Sequence, residues 1–343
     1  MKNKRKKILV FGYFGYVTNQ LDGQTVKTRA IYNLLRAKSQ SDVTFADSQE
    51  FRHNFKSIIG FLKDIIRCDK LLWLPAQNNL KYLFPAIWVM SKIFRFDIIY
   101  IVVGGWLSVF LEGMPFHRSK LKGIKAILLE NKLSVKELQS KYGFENLDVI
   151  PNFREVATKP EIEEYKGPLK LVFMARVNKM KGLDTIAEVA ERLKGQDITI
   201  DIYGPILADD EQYFKTELID RYPSINYCGV LQPDKIYDTL VEYDVMLFPT
   251  HYYTEGFPGS IMDAYRSAVP VIATDWKHAR EFVVDGLSGY IVNFEKPVDE
   301  MVGAINHLDS YRQQLYEMKQ AAYKESLKYT PDESWRILEK YLR

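Results

Sequence analysis

The chain has 343 residues, long enough for two domains rather than one. Hydrophobic residues make up 47% and charged residues 27%, enough apolar material for two cores, and a net charge of +3 is too small to mark a nucleic-acid binder. Cys68 and Cys228 are too far apart for a metal or redox spacing, which points to two reduced thiols in a cytoplasmic protein.

The basic start MKNKRKK (1–7) leads into the strand KILVFGYF (7–14), whose short apolar run is broken by glycine, so no secretory leader is expected. The amphipathic helix TVKTRAIYNLLRAK (25–38), the strand DVTFAD (42–47) and a basic helical segment around 54–67 follow. Strands are then expected at KLLWLP (70–75), DIIYIVV (97–103), KAILLE (125–130) and LDVIPN (147–152). The apolar stretches 82–94 and 97–111 are interrupted by charge, Pro or Gly, and neither supplies the roughly 20 clean residues of a spanning helix.

The pattern restarts with KLVFMAR (170–176), the helix LDTIAEVAERLK (183–194) and the strand ITIDIYG (198–204). A helix at 211–221, the strand INYCG (225–229), the helix PDKIYDTLVEY (233–243) and the strand DVMLFP (244–249) come next. VPVIATD (269–275) and YIV (290–292) complete the series. Strands alternating with helices imply α/β architecture, with parallel sheets wound on both faces. The charged, Pro-containing stretch 152–168 reads as a linker. The expected domains are therefore 1–155 and 156–330, with a tail helix at 331–343 packing back on the first.

Ligands of such sheets bind beyond the carboxyl ends of the strands. Arg176 ends one strand and Lys181 stands where the next helix opens. A forked guanidinium, a point charge and helix N–H groups suit a diphosphate; two solvated surface cations are the plain alternative. In TEGFPGSIMD (254–263), Glu255 and Asp263 bracket a Gly/Pro-broken turn that opens a helix. Surface acids around an ordinary turn are the alternative there. Gly23 at a helix start is a weak phosphate-loop signal, and Gly104 and Gly105 mark another strand end. No GxGxxG or GKS/T motif occurs, which argues against a dinucleotide-binding dehydrogenase and a Walker-type ATPase.

In this order, ARVNKMKGLD (175–184), Gly204 after ITIDIY, CGVLQPDKIYDTLVEYDVMLFPT (228–250) and EGFPGSIMD (255–263) resemble the donor-binding domain of family 4 glycosyltransferases. DGQT (22–25) resembles that family's first-domain glycine loop. The resemblance covers most of 165–295 and implies the GT-B fold, two Rossmann-like domains facing across a cleft. It implies that Arg176 and Lys181 hold the donor diphosphate, with Glu255 against the donor sugar. Gly256, Phe257, Pro258, Gly259, Ser260 and Ile261 would offer backbone N–H groups to sugar and phosphate. Asp263 would accept from ribose hydroxyls, Val230 and Leu231 would edge the nucleobase, and Gly23 and Gly204 would border the donor. Gly104 and Gly105 would lie on the acceptor side.

The chain departs from the family's pattern in having Asp263 where Glu is commoner and FPGS (257–260) where many members read FGLP. VVGGWLS (102–108) also lacks the His of many members. None of His53, His117, His251, His278 and His307 is assigned as a base; a structural or solvent-facing role is the expectation for His251.

The resemblance implies a retaining, metal-independent transferase without a cofactor. It would move a sugar from a nucleotide-sugar, UDP-sugar favoured and GDP-sugar possible, to a glycan in bacterial surface polysaccharide synthesis. The acceptor could be polyprenyl-diphosphate-linked, which places the protein in the cytoplasm, at the inner face of the plasma membrane. Phe55, Ile58, Ile59, Leu62, Ile65 and Ile66 form a helical stripe among Arg52, His53, Lys56, Lys63, Arg67 and Lys70. Such a helix either lies on an anionic membrane or faces a core with a solvated basic side. Rival functions are a nucleotide-sugar epimerase, a sugar-binding protein and a catalytically inactive GT-B partner subunit.

Overall fold

Strands that are apolar on both faces need helices on both sides of their sheet. The computed structural model, which describes residues 5–20, 22–154, 158–164 and 167–343, meets that need twice. The first four residues of the basic start and part of the expected linker lie outside the described residues. The chain divides into one unit of Met1–Phe153 with Pro331–Arg343 and a second of Arg154–Thr330.

In the first unit, β1 (Lys7–Gly12), β2 (Asp42–Asp47), β3 (Lys70–Leu74), β4 (Asp97–Ile101), β5 (Ala126–Leu129) and β6 (Leu147–Val149) form a parallel sheet. Their spatial order is β2-β1-β3-β4-β5-β6. The helices are α1 (Gly23–Lys38), α2 (Phe55–Ile65), α3 (Gln77–Phe94), α4 (Leu107–Glu112), α5 (Pro115–Leu121) and α6 (Lys132–Tyr142). Side chains of α2 to α6 share one core with one face of the sheet. The other face packs on α1 and on the C-terminal helix through Ile31, Leu34, Leu35, Leu338 and Leu342. β1 stops at Gly12, short of the expected 14, because the N–H of Phe14 turns aside to donate to Asp47 Oδ1 at 3.0 Å.

The second sheet comprises β7 (Leu169–Met174), β8 (Ile198–Tyr203), β9 (Ile225–Tyr227), β10 (Val245–Phe248), β11 (Val271–Thr274) and β12 (Gly289–Val292), again all parallel. Their order is β12-β11-β10-β7-β8-β9. Its helices are α7 (Leu183–Arg192), α8 (Glu211–Tyr213), α9 (Ile236–Leu240), α10 (Gly259–Arg266), α11 (Ala279–Phe282), α12 (Val298–Ser310) and α13 (Arg312–Ser326), and α14 (Pro331–Leu342) closes the chain. The helix expected over 211–221 becomes the short α8 followed by a π-helical turn, Phe214–Ile219, in which Asp220 N–H reaches back to the Lys215 carbonyl. α9 is shorter than expected, since a turn closed by Lys235 N–H on the Gln232 carbonyl precedes it.

The apolar stretch 82–94 lies in α3, which runs through Pro85. Proline has no N–H, so the carbonyl of Lys81, four residues earlier, loses its helical partner. His117 of α5 replaces it. Its Nε2 lies 3.1 Å from both the Lys81 and Leu80 carbonyl oxygens, and since carbonyls only accept, Nε2 carries the proton. His117 is 5% exposed and holds two helices together. No described helix is long and apolar enough to cross a membrane.

A buried carbonyl left unpaired costs about 1–3 kcal/mol. His117→Phe is therefore expected to lower unfolding stability by that order in urea melts. In a Pro85→Ala background, where the helix supplies its own N–H, the loss should shrink. Equal losses in the two backgrounds would mean that His117 acts through packing alone.

Candidate functional site

In the second sheet, β8 and β9 extend from β7 on one side while β10, β11 and β12 lie on the other. The connections diverge between β7 and β10, and such a divergence leaves a crevice at the carboxyl ends of the strands. The chain segments 175–182 and 249–258 border it. They touch through their backbones: a Cβ on Gly182, whose φ is +89°, would stand 2.0 Å from the Pro249 carbonyl oxygen. Gly204, φ +143°, is pressed as closely on the Ala175 carbonyl, 1.7 Å from its would-be Cβ. Only glycine fits at either point, because a side chain would meet backbone that cannot swing away.

This contact sets Lys181 beside Glu255. Asn178 caps the turn Lys179–Lys181 by accepting from the Lys181 N–H at 3.0 Å. The Lys181 side chain then crosses to the neighbouring loop, where Nζ donates to Glu255 Oε1 at 2.9 Å and Oε2 at 2.8 Å. The rings of Tyr252 and Phe248 lie 5.0 and 5.8 Å from the ammonium. A largely buried cation thus holds both oxygens of a partly buried carboxylate. Arg176, on the same loop, is exposed and makes no ion pair with a described residue.

The turn after Glu255 buries its apolar side chains. Phe257 stacks on Phe282 with ring centroids 3.9 Å apart, and Ile261 is fully buried. Those two residues can meet a ligand through backbone alone. Gly256 and Pro258 are buried as well, with Gly259 and Ser260 half-buried at the helix start. α10 begins without a side-chain cap, since its N-cap residue is Pro258, so its first-turn N–H groups remain donors for an anion. Val230 is exposed and Leu231 half-buried in the segment following β9.

Asp263 is 4% exposed and is already held. Arg154 forks it, with Nε 2.6 Å from Oδ1 and Nη2 3.1 Å from Oδ2. Gly259, one turn earlier on α10, leaves room for the fork: a Cβ there would lie 2.6 Å from Arg154 Nη2. Burial works against the Arg154 charge and the Asp263 carboxylate outweighs it, so its pKa rises. Burial, reinforced by Asp263, pushes the Tyr237 phenol well above its usual range. Arg154 reads in the sequence as the edge of a linker, and nothing in NFREV marks it as the partner of a residue 109 positions away.

The remaining candidates lie in the first unit. Gly23 is exposed in the first turn of α1, where Asp22 and Thr25 form a reciprocal cap with both contacts at 2.9 Å. DGQT is therefore a capping box as it stands. Gly104 and the buried Gly105 bend the chain after β4, and the Gly104 N–H donates to Glu130 Oε2 at 2.9 Å. Glu130 Oε1 accepts from Lys27 Nζ at 2.9 Å in an almost fully buried pair. Burial drives the Lys27 pKa down while Glu130 opposes the shift. Sequence reading missed both members: a Lys inside an amphipathic helix and a Glu closing an apolar strand resemble surface residues. Among the described residues, no group of three or more His, Cys, Asp or Glu is placed to hold a metal ion.

His251 ties the two crevice segments together. Its backbone N–H donates to the Met180 carbonyl at 3.0 Å, and its ring Nε2 stands 3.0 Å from Asp184 Oδ1 on α7. Of the structural and solvent-facing roles expected for His251, these contacts fit the structural one.

Residues 168–310 match the family model described as glycosyl transferases group 1. A protein of the Klebsiella pneumoniae cps region, itself uncharacterized, is 26% identical over 163 residues, which cover 48% of this chain and 43% of the relative. The putative colanic acid biosynthesis glycosyltransferase WcaL of Salmonella typhimurium is 29% identical over 132 residues, 36% of this chain and 32% of the relative. The chain thus spans less than half the length of these curated relatives. Among solved structures, Anabaena HepE in complex with UDP and glucose superposes with a TM-score of 0.76 at 13% identity. That match covers 98% of this chain and 99% of HepE. The fold is GT-B.

The hydrogen bond to Asp184 raises the His251 pKa above its ordinary 6.5 against the opposing effect of burial. The bond to His251 is likewise the main cause lowering Asp184 below 3.8. The histidine contribution to stability is complete below pH 6.5 and fades as pH rises through the raised value. The aspartate contribution is complete above 3.8 and fades as pH falls through the lowered one. NMR titration should place His251 above 6.5, and Asp184→Asn should bring it down. An unchanged midpoint in that variant would show the contact absent in solution.

Proposed function

We propose that the protein is a glycosyltransferase of polysaccharide synthesis, which moves a sugar from a nucleoside-diphosphate donor to a glycan. The observation that carries this reading is the Lys181–Glu255 pair in the crevice between β7 and β10, beside the uncapped start of α10 and the exposed charge of Arg176. The two partners are complementary to two parts of such a donor. A diphosphate attracts the ammonium, and sugar hydroxyls donate to the carboxylate, so donor entry exchanges one pairing for two.

UDP is the favoured donor nucleotide, since HepE shares the fold and was solved with UDP. Arg176 and Lys181 would counter the charge that develops on the leaving diphosphate, a role that needs no metal. Glu255 and the first-turn N–H groups of α10 would orient the sugar. In the retaining course we favour, the bond from the anomeric carbon to the diphosphate oxygen breaks. The acceptor oxygen then bonds to that carbon from the same face, and its proton passes to the leaving phosphate. Asp263 would accept from ribose hydroxyls through the lone pairs that the Arg154 fork leaves, once its buried oxygens are reached. Gly204, Val230 and Leu231 would border the donor, and a lipid-linked glycan is our reading of the acceptor.

Calorimetric titration with UDP, GDP, ADP and CDP in the presence of a chelator tests the reading. One diphosphate, UDP first, should bind. Removing a charge-assisted contact costs about 1.5–3 kcal/mol, so Lys181→Ala and Arg176→Ala should each weaken binding at least tenfold and abolish transfer. Failure of every diphosphate to bind, or unaltered turnover in both variants, would rule it out.

A further inference from the structure

α2 and α3 both point apolar side chains away from the core they help to build. In α2, Phe61 and Ile65 are buried while Phe55, Ile59, Leu62 and Ile66 are exposed, Phe55 by 73%. The exposed four, with Ile66 just past the helix end, recur at spacings of four, three and four and so form one stripe. α3 repeats the pattern. Leu80, Phe84 and Ile87 are buried, whereas Tyr82, Ala86, Val89 and Ile93 are exposed at the same spacings, Tyr82 by 68% and Ile93 by 65%.

The two helices cover the same face of the first sheet. Phe61 of α2 packs on Phe11 of β1, Phe84 of α3 packs on Trp73 of β3, and β1 and β3 are paired neighbours. Two apolar stripes therefore lie side by side on solvent. Of the six apolar residues read in the sequence as one helical stripe, Ile65 is buried while Phe55, Ile59, Leu62 and Ile66 turn outward.

Charge identifies what can cover this face. Residues 51–125 hold twelve Lys and Arg against four Asp and Glu, a net +8, while the rest of the chain sums to −5. Three of the four acids are already engaged: Asp69 with the Lys7 N–H, Asp97 with Lys70 and Glu112 with Lys141. Lys56, Lys63 and Arg67 form a row beside the α2 stripe, and Lys81 and Lys92 edge that of α3. None of these five has an ion-pair partner among the described residues. A second copy of this face would meet it with like charge, which disfavours self-association. A surface offering negative headgroups and a hydrocarbon layer answers both features.

We propose that the outward faces of α2 and α3 dock the protein on an anionic lipid membrane, with the apolar stripes inserted among the acyl chains and the lysine rows on the headgroups. The inference rests on the surface of the first unit and stands whether or not the transfer reaction is as proposed.

Flotation of the full-length protein with vesicles of phosphatidylglycerol and phosphatidylcholine, or of phosphatidylcholine alone, tests it. The protein should float with the anionic vesicles at low salt and progressively less as salt rises. The exposed-site variant Ile59→Ser/Ile93→Ser should lose binding while keeping its circular dichroism and its UDP titration. Lys56→Gln/Lys63→Gln should weaken binding by roughly fivefold for each lysine removed. No flotation at low salt overturns the proposal, and so does equal flotation of the serine variant. A wild-type dimer that this variant converts to monomer would assign the face to a second copy instead.

Discussion

The close approach of two backbones at the mouth of the second sheet is the constraint on which the candidate site depends. Gly182 presses on the Pro249 carbonyl and Gly204 on the Ala175 carbonyl, so the segments leaving β7, β8 and β10 form one contiguous rim. Once those contacts are made, Lys181 has a carboxylate within reach of both its oxygens, and His251 secures the arrangement from the side. A Cβ at either glycine would push apart segments that carry the functional groups.

Three charge pairs in this protein are held out of full contact with water. Lys181 and Glu255, Arg154 and Asp263, and Lys27 and Glu130 are all partly or fully buried. A buried pair adds little stability over a well-packed apolar contact, because removing two charges from water costs several kcal/mol that their attraction only repays. Such pairs therefore fit a site whose partners can be exchanged for a ligand. Lys181 and Glu255 meet that description, bordering a crevice with an uncapped helix start beside them. Asp263 is more enclosed than Glu255, although Arg154 is less so than Lys181, and Lys27 and Glu130 are the most enclosed of the three pairs.

The repeating strand–helix pattern was legible because the central parallel strands, buried on both faces, are short apolar runs in the sequence. Arg176, Lys181 and Glu255 were legible too, as charged residues just past those runs. Arg154 was not, since its partner lies across the fold of its unit. Nor was the task of His117, which depends on a proline in a different helix. The DGQT turn illustrates the opposite case: its residue types suit an anion loop, yet Asp22 and Thr25 already satisfy each other.

By itself the sequence determined the periodicities, the glycine positions and the placing of charge beyond strand ends, because these are local properties of the chain. Only tertiary structure decided which charges pair and which apolar residues of α2 and α3 stay in solvent. Burial depends on what the rest of the unit brings alongside: a helical stripe such as Phe55, Ile59, Leu62 and Ile66 is as apolar as a core, and only the absence of a packed neighbour turns it into a surface.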